Sequence, residues 1–107
     1  IPPNEVAMVG TGIALQIPQG WKGEVYSRSS MAAAGIMVAN SPGKIDSDYR
    51  GEIKVILYNS RSDLVGINAG DRIAQIEINP VQQIEWEFSE NLELTERGEN
   101  GFGSTGK

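Results

Sequence analysis

Glu52-Ile53-Lys54-Val55-Ile56-Leu57-Tyr58 is the stretch that decides the fold. Ile53, Val55 and Leu57 alternate onto one face, with Glu52, Lys54, Ile56 and Tyr58 on the other, which is the period of a strand. The second face is half apolar, so both sides are expected to be covered. Upstream, residues 13–17 repeat the alternation in Ile13, Leu15 and Ile17 before Pro18-Gln19-Gly20 breaks it. A short strand is expected over residues 23–27. Residues 30–35 hold three consecutive alanines and no β-branched residue, which predicts a helical turn. Residues 36–39 are apolar again, and Asn40-Ser41-Pro42-Gly43 reads as a turn.

Downstream, residues 60–63 and 68–71 are turns flanking the apolar pair Leu64-Val65, and residues 73–78 form another strand ended by Pro80. Ile84, Trp86 and Phe88 alternate with Glu85 and Glu87. Beyond Glu96 the composition turns to glycine, serine and charge. The expected organisation is therefore one β domain over residues 1–96 and a flexible tail over residues 97–107. Thirteen glycines and five prolines in 107 residues fit many short strands joined by tight turns, so the fold class is all-β: a sandwich, barrel or jelly roll.

The net charge of −5 gives no general attraction for a nucleic-acid backbone, although a few arginines and backbone amides in one cleft can still hold a small anion. The absence of Cys and His removes disulfides, thiolate metal sites and the commonest catalytic base, leaving carboxylates, hydroxyls or a metal for any chemistry. No apolar run reaches the length of a membrane span and no signal-peptide pattern is present, so the expectation is a soluble intracellular protein, cytoplasmic or, in a eukaryote, nuclear. The opening Ile1-Pro2-Pro3, without methionine, suggests that residues are missing upstream or were removed.

Three segments carry polar groups with chemical potential. Ile45-Asp46-Ser47-Asp48-Tyr49-Arg50-Gly51-Glu52 puts two carboxylates and a tyrosine ahead of the clearest strand, although Asp, Ser and Gly also suit an ordinary hairpin turn. Arg28-Ser29-Ser30 begins the helical turn, where unpaired N–H groups favour an anion; the plainer reading is an N-cap serine beside a solvated arginine. In Arg97-Gly98-Glu99-Asn100-Gly101-Phe102-Gly103-Ser104-Thr105-Gly106-Lys107, glycines can bring amides close to phosphates and Phe102 can stack on a flat base. Residues 101–107 also match the opening of a Walker A loop. No strand leads into them and the required hydroxyl residue and helix do not follow, so that reading is set aside.

Together these segments resemble the trimeric dUTPase family. Arg28-Ser29-Ser30-Met31-Ala32-Ala33-Ala34-Gly35, residues 40–53, Gly70-Asp71-Arg72-Ile73-Ala74-Gln75 and residues 97–106 are similar to that family's second to fifth motifs, in family order. The family's first motif, of the Ala-Gly-Tyr-Asp-Leu type, does not precede them here, which puts the activity of these 107 residues alone in question.

The resemblance implies a distorted jelly roll of the dUTPase (β-clip) type, assembled as a homotrimer. Each active site would take motifs two and four from one chain, motif three from a second and the glycine-rich tail from the third. It also implies hydrolysis of dUTP to dUMP and pyrophosphate, which keeps uracil out of DNA and supplies dUMP for thymidylate synthesis. Asp46 would position and activate the water. Tyr49 would lie against the deoxyribose, and Asn40, with backbone groups of Gly43, Ile45 and Ile53, would recognise uracil. Arg28, Ser29, Ser30 and Gln75 would contact phosphates. Arg97 would reach the γ-phosphate, Phe102 would cover the base, and Gly103, Ser104 and Thr105 would close on the phosphate chain. Magnesium would be held mainly by the triphosphate and water, with no direct protein ligand.

Two alternatives remain at this point. A dCTP deaminase shares the Arg-Ser-Ser feature, but aligning its strand through Gly51 and Asn59 puts Ile56 where its catalytic glutamate belongs. A nucleotide-binding module without catalysis is the other; a purely structural β domain leaves the 97–106 segment unexplained.

Overall fold

The computed structural model describes residues 1–103. Its strands are β1 (Val6–Gly10), β2 (Trp21–Tyr26), β3 (Ile36–Val38), β4 (Gly43–Ile45), β5 (Lys54–Asn59) and β6 (Gln75–Pro80), with one short helix, α1 (Ser29–Ala33). They form two three-stranded antiparallel sheets, ordered β1-β5-β3 and β4-β2-β6. The all-β expectation holds.

The strand that opened the sequence reading sits at the centre of its sheet. Val55 and Leu57 are buried and join Val25, Ile36 and Val38 in the core between the sheets. Ile53, just ahead of β5, is buried too. The other face is only half covered: Ile56 is opposite Met8, and Tyr58 is opposite Val6 on one side and Met37 on the other. Met8 remains 67 % exposed in the single chain, so this apolar face lacks a full partner.

β5 ends on Asn59, a buried polar side chain with every bonding group used. Its Nδ2 donates to the carbonyls of Ile1 (2.8 Å) and Asp63 (2.9 Å), and its Oδ1 accepts from the N–H of Arg61 (2.9 Å). Each bond avoids the cost of an unsatisfied buried polar group. At the core proper, Leu57 has no solvent exposure. Leu57→Ala is expected to destabilise the fold by about 2–5 kcal/mol, seen as a lower denaturant midpoint, because the neighbouring sheet cannot close fully on the space left.

Several local expectations are corrected. Residues 13–17 are not assigned as a strand; they follow the sheet loosely, with the Ile53 N–H donating to the Ile13 carbonyl (2.8 Å) and Ile17 buried. β1 was not anticipated, because Val-Ala-Met-Val is apolar at every position and shows no period of two. Gly43, expected in a turn, begins β4 and pairs with Val25. Arg28, and not a serine, occupies the N-cap of α1, with no side-chain capping bond.

The alternation at Ile84, Trp86 and Phe88 also yields no strand. Residues 81–100 are exposed throughout, with Trp86 at 85 % and Phe88 at 102 %. The Cα radius of gyration is 18.8 Å, against about 13 Å for a compact chain of roughly 100 residues. This stretch stands off the body as an arm whose apolar side chains are left exposed among the described residues.

The outward face of the second sheet is polar. On β2 the Tyr26 hydroxyl donates to Glu24 (2.7 Å), and Lys22 and Asn79 also meet that carboxylate. The hydroxyl contact holds the Glu24 carboxyl below its usual range and pushes Tyr26 up to about 12. β2 thus reaches Ser27 and Arg28 in a defined register against β6, with Tyr26 opposite Gln75.

Candidate active site

The connection between β4 and β5 is built by short-range bonds among its own residues. The Tyr49 N–H donates to the Asp46 carbonyl (3.1 Å), making a turn. Arg50 Nη1 donates to the Ser47 and Tyr49 carbonyls (2.6 and 3.2 Å). The Tyr49 hydroxyl donates to the Glu52 carbonyl (2.7 Å). These bonds leave the Asp46 carboxylate outward, 64 % exposed and 3.3 Å from Lys44 Nζ. A carboxylate so placed can meet water or a ligand without first losing a buried partner.

Beneath the turn lies a cavity of about 320 Å³. Asn40, Gly43, Ile45, Asp46, Tyr49 and Ile53 all line it, so six residues singled out from the sequence come together in one chain. The Asn40 amide packs over Gly43, where an added Cβ would lie 3.2 Å from Nδ2. The size falls within the range of small-molecule sites, about 300–1,000 Å³, and polar groups at the mouth of apolar walls are typical of them.

Arg28 and Gln75 line a different cleft, of about 750 Å³, that shares Val25, Ile53 and Val55 with the first in its walls. Arg28 Nη1 donates to the Arg72 carbonyl (2.9 Å), and Gln75 Nε2 donates to the Ser27 carbonyl (2.8 Å). Ser27 Oγ in turn accepts the Val38 N–H (2.9 Å), which ties this corner to β3. Ser29 and Ser30 lie exposed at the start of α1.

Arg97, Phe102 and Gly103 stand apart from both cavities. Arg97 Nε donates to the Asn100 carbonyl (2.6 Å), while Phe102 is fully exposed at a positive φ of 50°. Ser104 and Thr105 lie outside the described residues. Among the described residues a single chain therefore gathers the Asp46 group and the Arg28–Gln75 pair separately and brings residues 97–103 to neither.

Three further residues belong to the surroundings of these cavities without having been singled out. Arg72 lines the Arg28 cleft, and Lys44 and Glu52 line the Asp46 cavity. Lys44 was legible in principle, because it lies only two residues from Asp46 in the sequence. Glu52 was legible as part of the 45–52 segment, whereas Arg72 depends on how distant loops close. Among the described residues no three His, Cys, Asp or Glu side chains converge closely enough to hold a metal ion, and no helix is long and apolar enough to cross a membrane.

A family model described as dUTPase matches residues 1–106. The deoxyuridine 5'-triphosphate nucleotidohydrolases of Anaplasma marginale and Rickettsia bellii are each 51 % identical, over 97 % and 99 % of this chain and 71 % of theirs. Among solved structures, a Staphylococcus bacteriophage 80alpha dUTPase with dUpNHpp superposes with a TM-score of 0.80 at 27 % identity, covering all of this chain and 79 % of that one. The native EIAV dUTPase gives 0.74 at 30 % identity, over 87 % of this chain and 77 % of its own. The agreement extends over sequence and fold alike, and the chain belongs to the dUTPase family.

Proposed function

We propose that this chain hydrolyses dUTP to dUMP and pyrophosphate, and that Asp46 acts on the attacking water. The observation that carries this reading is the cavity of about 320 Å³ under the β4–β5 turn, lined by Asp46, Tyr49 and Asn40 together. The family relationship supplies the reaction class.

Attack at the α-phosphorus needs an aligned water, cations on the phosphate oxygens and stabilisation of the leaving pyrophosphate. Asp46 is the exposed carboxylate at the cavity mouth and accepts the proton as water attacks. Tyr49 lies against the deoxyribose, leaving no room for a 2′-hydroxyl. Asn40 and backbone groups of Gly43, Ile45 and Ile53 bond the uracil edge. Arg28, Ser29, Ser30 and Gln75 serve the phosphates. Arg97, Phe102, Gly103, Ser104 and Thr105 close over the bound nucleotide. Magnesium, when bound, would screen the triphosphate charge, held by phosphate oxygens and water.

The separation of these groups within one chain supports a homotrimer with shared sites. The arm adds a second argument: Ile84, Trp86, Phe88, Leu92 and Leu94 are between 66 % and 102 % exposed. Burying one such side chain stabilises by about 1.5–3 kcal/mol, so a neighbouring copy gains much by covering them. An arm laid on a neighbour also carries residues 97–107 towards that neighbour's cavities.

The test is a pyrophosphate-release assay with dUTP, UTP and dCTP in magnesium buffer, with the molar mass measured alongside. Release from dUTP alone, by a species three times the chain mass, is the expected result. Ammonia release from dCTP would favour the deaminase, a role against which Ile56 already stands, placed opposite Met8 in the sheet. Tight binding of a non-hydrolysable dUTP analogue with no turnover would leave a nucleotide-binding module.

A further inference from the structure

Tyr49 is held by contacts that the reaction as described does not use. Its hydroxyl donates to the main-chain oxygen of Glu52, and its ring lies over Gly51. A Cβ added at Gly51 would come within 2.5 Å of Oη, 2.7 Å of Cζ and 3.1 Å of Cε1. These approaches are far inside van der Waals contact and involve the ring itself, so any side chain at position 51 would have to displace Tyr49.

Glu52 is anchored from its other side. Its Oε2 accepts the N–H of Gly12 (2.9 Å) and occupies the space left by the missing side chain of Gly10, where an added Cβ would be 2.5 Å away. Gly10 is the last residue of β1, and Thr11 continues the connection by donating both its hydroxyl (2.7 Å) and its N–H (3.1 Å) to the Ile53 carbonyl. The Tyr49 ring is thereby tied through Glu52 to the β1–β5 sheet and not to its exposed turn alone.

We infer that Gly51 and Glu52 are positioning residues for sugar discrimination: Gly51 gives the Tyr49 ring its seat, and Glu52 locks the hydroxyl end of that ring to the sheet. The inference rests on the reading that this cavity takes the deoxynucleoside of dUTP. A steric gate against one hydroxyl group works only if the gating ring cannot move aside, because a small displacement makes room for an added oxygen. Rejection of UTP therefore depends on the seat as well as on the ring.

The experiment compares the full chain with its Gly51→Ala, Glu52→Ala and Glu52→Gln variants. Dissociation constants for the imido analogues of dUTP and UTP are measured by calorimetry, and kcat/KM for both nucleotides by pyrophosphate release. In Gly51→Ala and Glu52→Ala the preference for the deoxynucleotide is expected to fall by about tenfold or more, mainly through a gain in UTP. Glu52→Gln keeps an amide oxygen for the Gly12 N–H and is expected to restore the parental ratio. Parallel weakening of both nucleotides, or an unchanged ratio, would overturn the inference and leave dUTP hydrolysis standing. Should Gly51→Ala fail to fold, the Glu52 pair decides the matter alone. A parent chain that ignores the dUTP analogue would instead sink the proposed function, and this inference with it.

Discussion

Asp46→Asn is expected to lower dUTP turnover by about 100- to 10,000-fold, the range associated with loss of a positioned general base. The amide keeps the shape of the carboxylate and can still orient a water, but it takes no proton at neutral pH. Asp46 is exposed and its ion pair to Lys44 is on the surface, so the substitution leaves no buried charge unpartnered and stability is expected to change little. Affinity for a non-hydrolysable dUTP analogue should stay within a few-fold of the parent. Loss of kcat without loss of binding marks a group that acts in the transition state. Turnover near the parental rate would remove Asp46 from the mechanism, and Asp48, in the same turn, would be the next carboxylate to replace.

Deleting residues 97–107 is expected to reduce kcat/KM for dUTP by about 100-fold or more while the chain still assembles. The deletion removes the Phe102 ring, and stacking of an aromatic on a base contributes about 1–3 kcal/mol. It also removes Arg97, for which charged hydrogen bonds to a phosphate would add about 1.5–3 kcal/mol. Little is lost from the core, because among the described residues none of the buried cluster or its packed neighbours comes from beyond Ala74. The apolar arm residues Ile84, Trp86, Phe88, Leu92 and Leu94 remain, and these are the ones expected to hold a neighbouring copy. Gel filtration and the pyrophosphate assay on the same preparation check both halves. A shortened chain that hydrolyses dUTP at the parental rate would remove the closing role; one that elutes as a monomer would move that role into assembly.

β5 was legible because its alternation is a property of the chain itself: an extended backbone turns successive side chains to opposite faces, so Val55 and Leu57 had to share a side. The same holds for α1, where an alanine run without β-branching marks a helical turn, and for β6, which closes at Pro80. The residues of the Asp46 turn were legible as a group because they are neighbours in sequence and make their bonds within a few positions of one another. The segment at residues 84–88 shows the limit of such reading. Its alternation marks one apolar face, but a strand also needs a partner edge, and the described residues of its own chain provide none.

The sequence by itself determined the all-β class, the central strand and the chemical content of the Asp46 turn, since each depends on local periodicity or on side chains only a few residues apart. The tertiary structure decided what required distant segments to meet. It chose β1 from a run with no readable period by pairing Met8 with Ile56, and it set Arg28 against the Arg72 carbonyl across 44 positions. It also tied Thr11 to Ile53 across 42 and placed Glu52 on Gly10 and Gly12 to brace Tyr49. Pairings of that kind are settled by register, cavity shape and packing among many elements at once, and no window of neighbouring residues contains them.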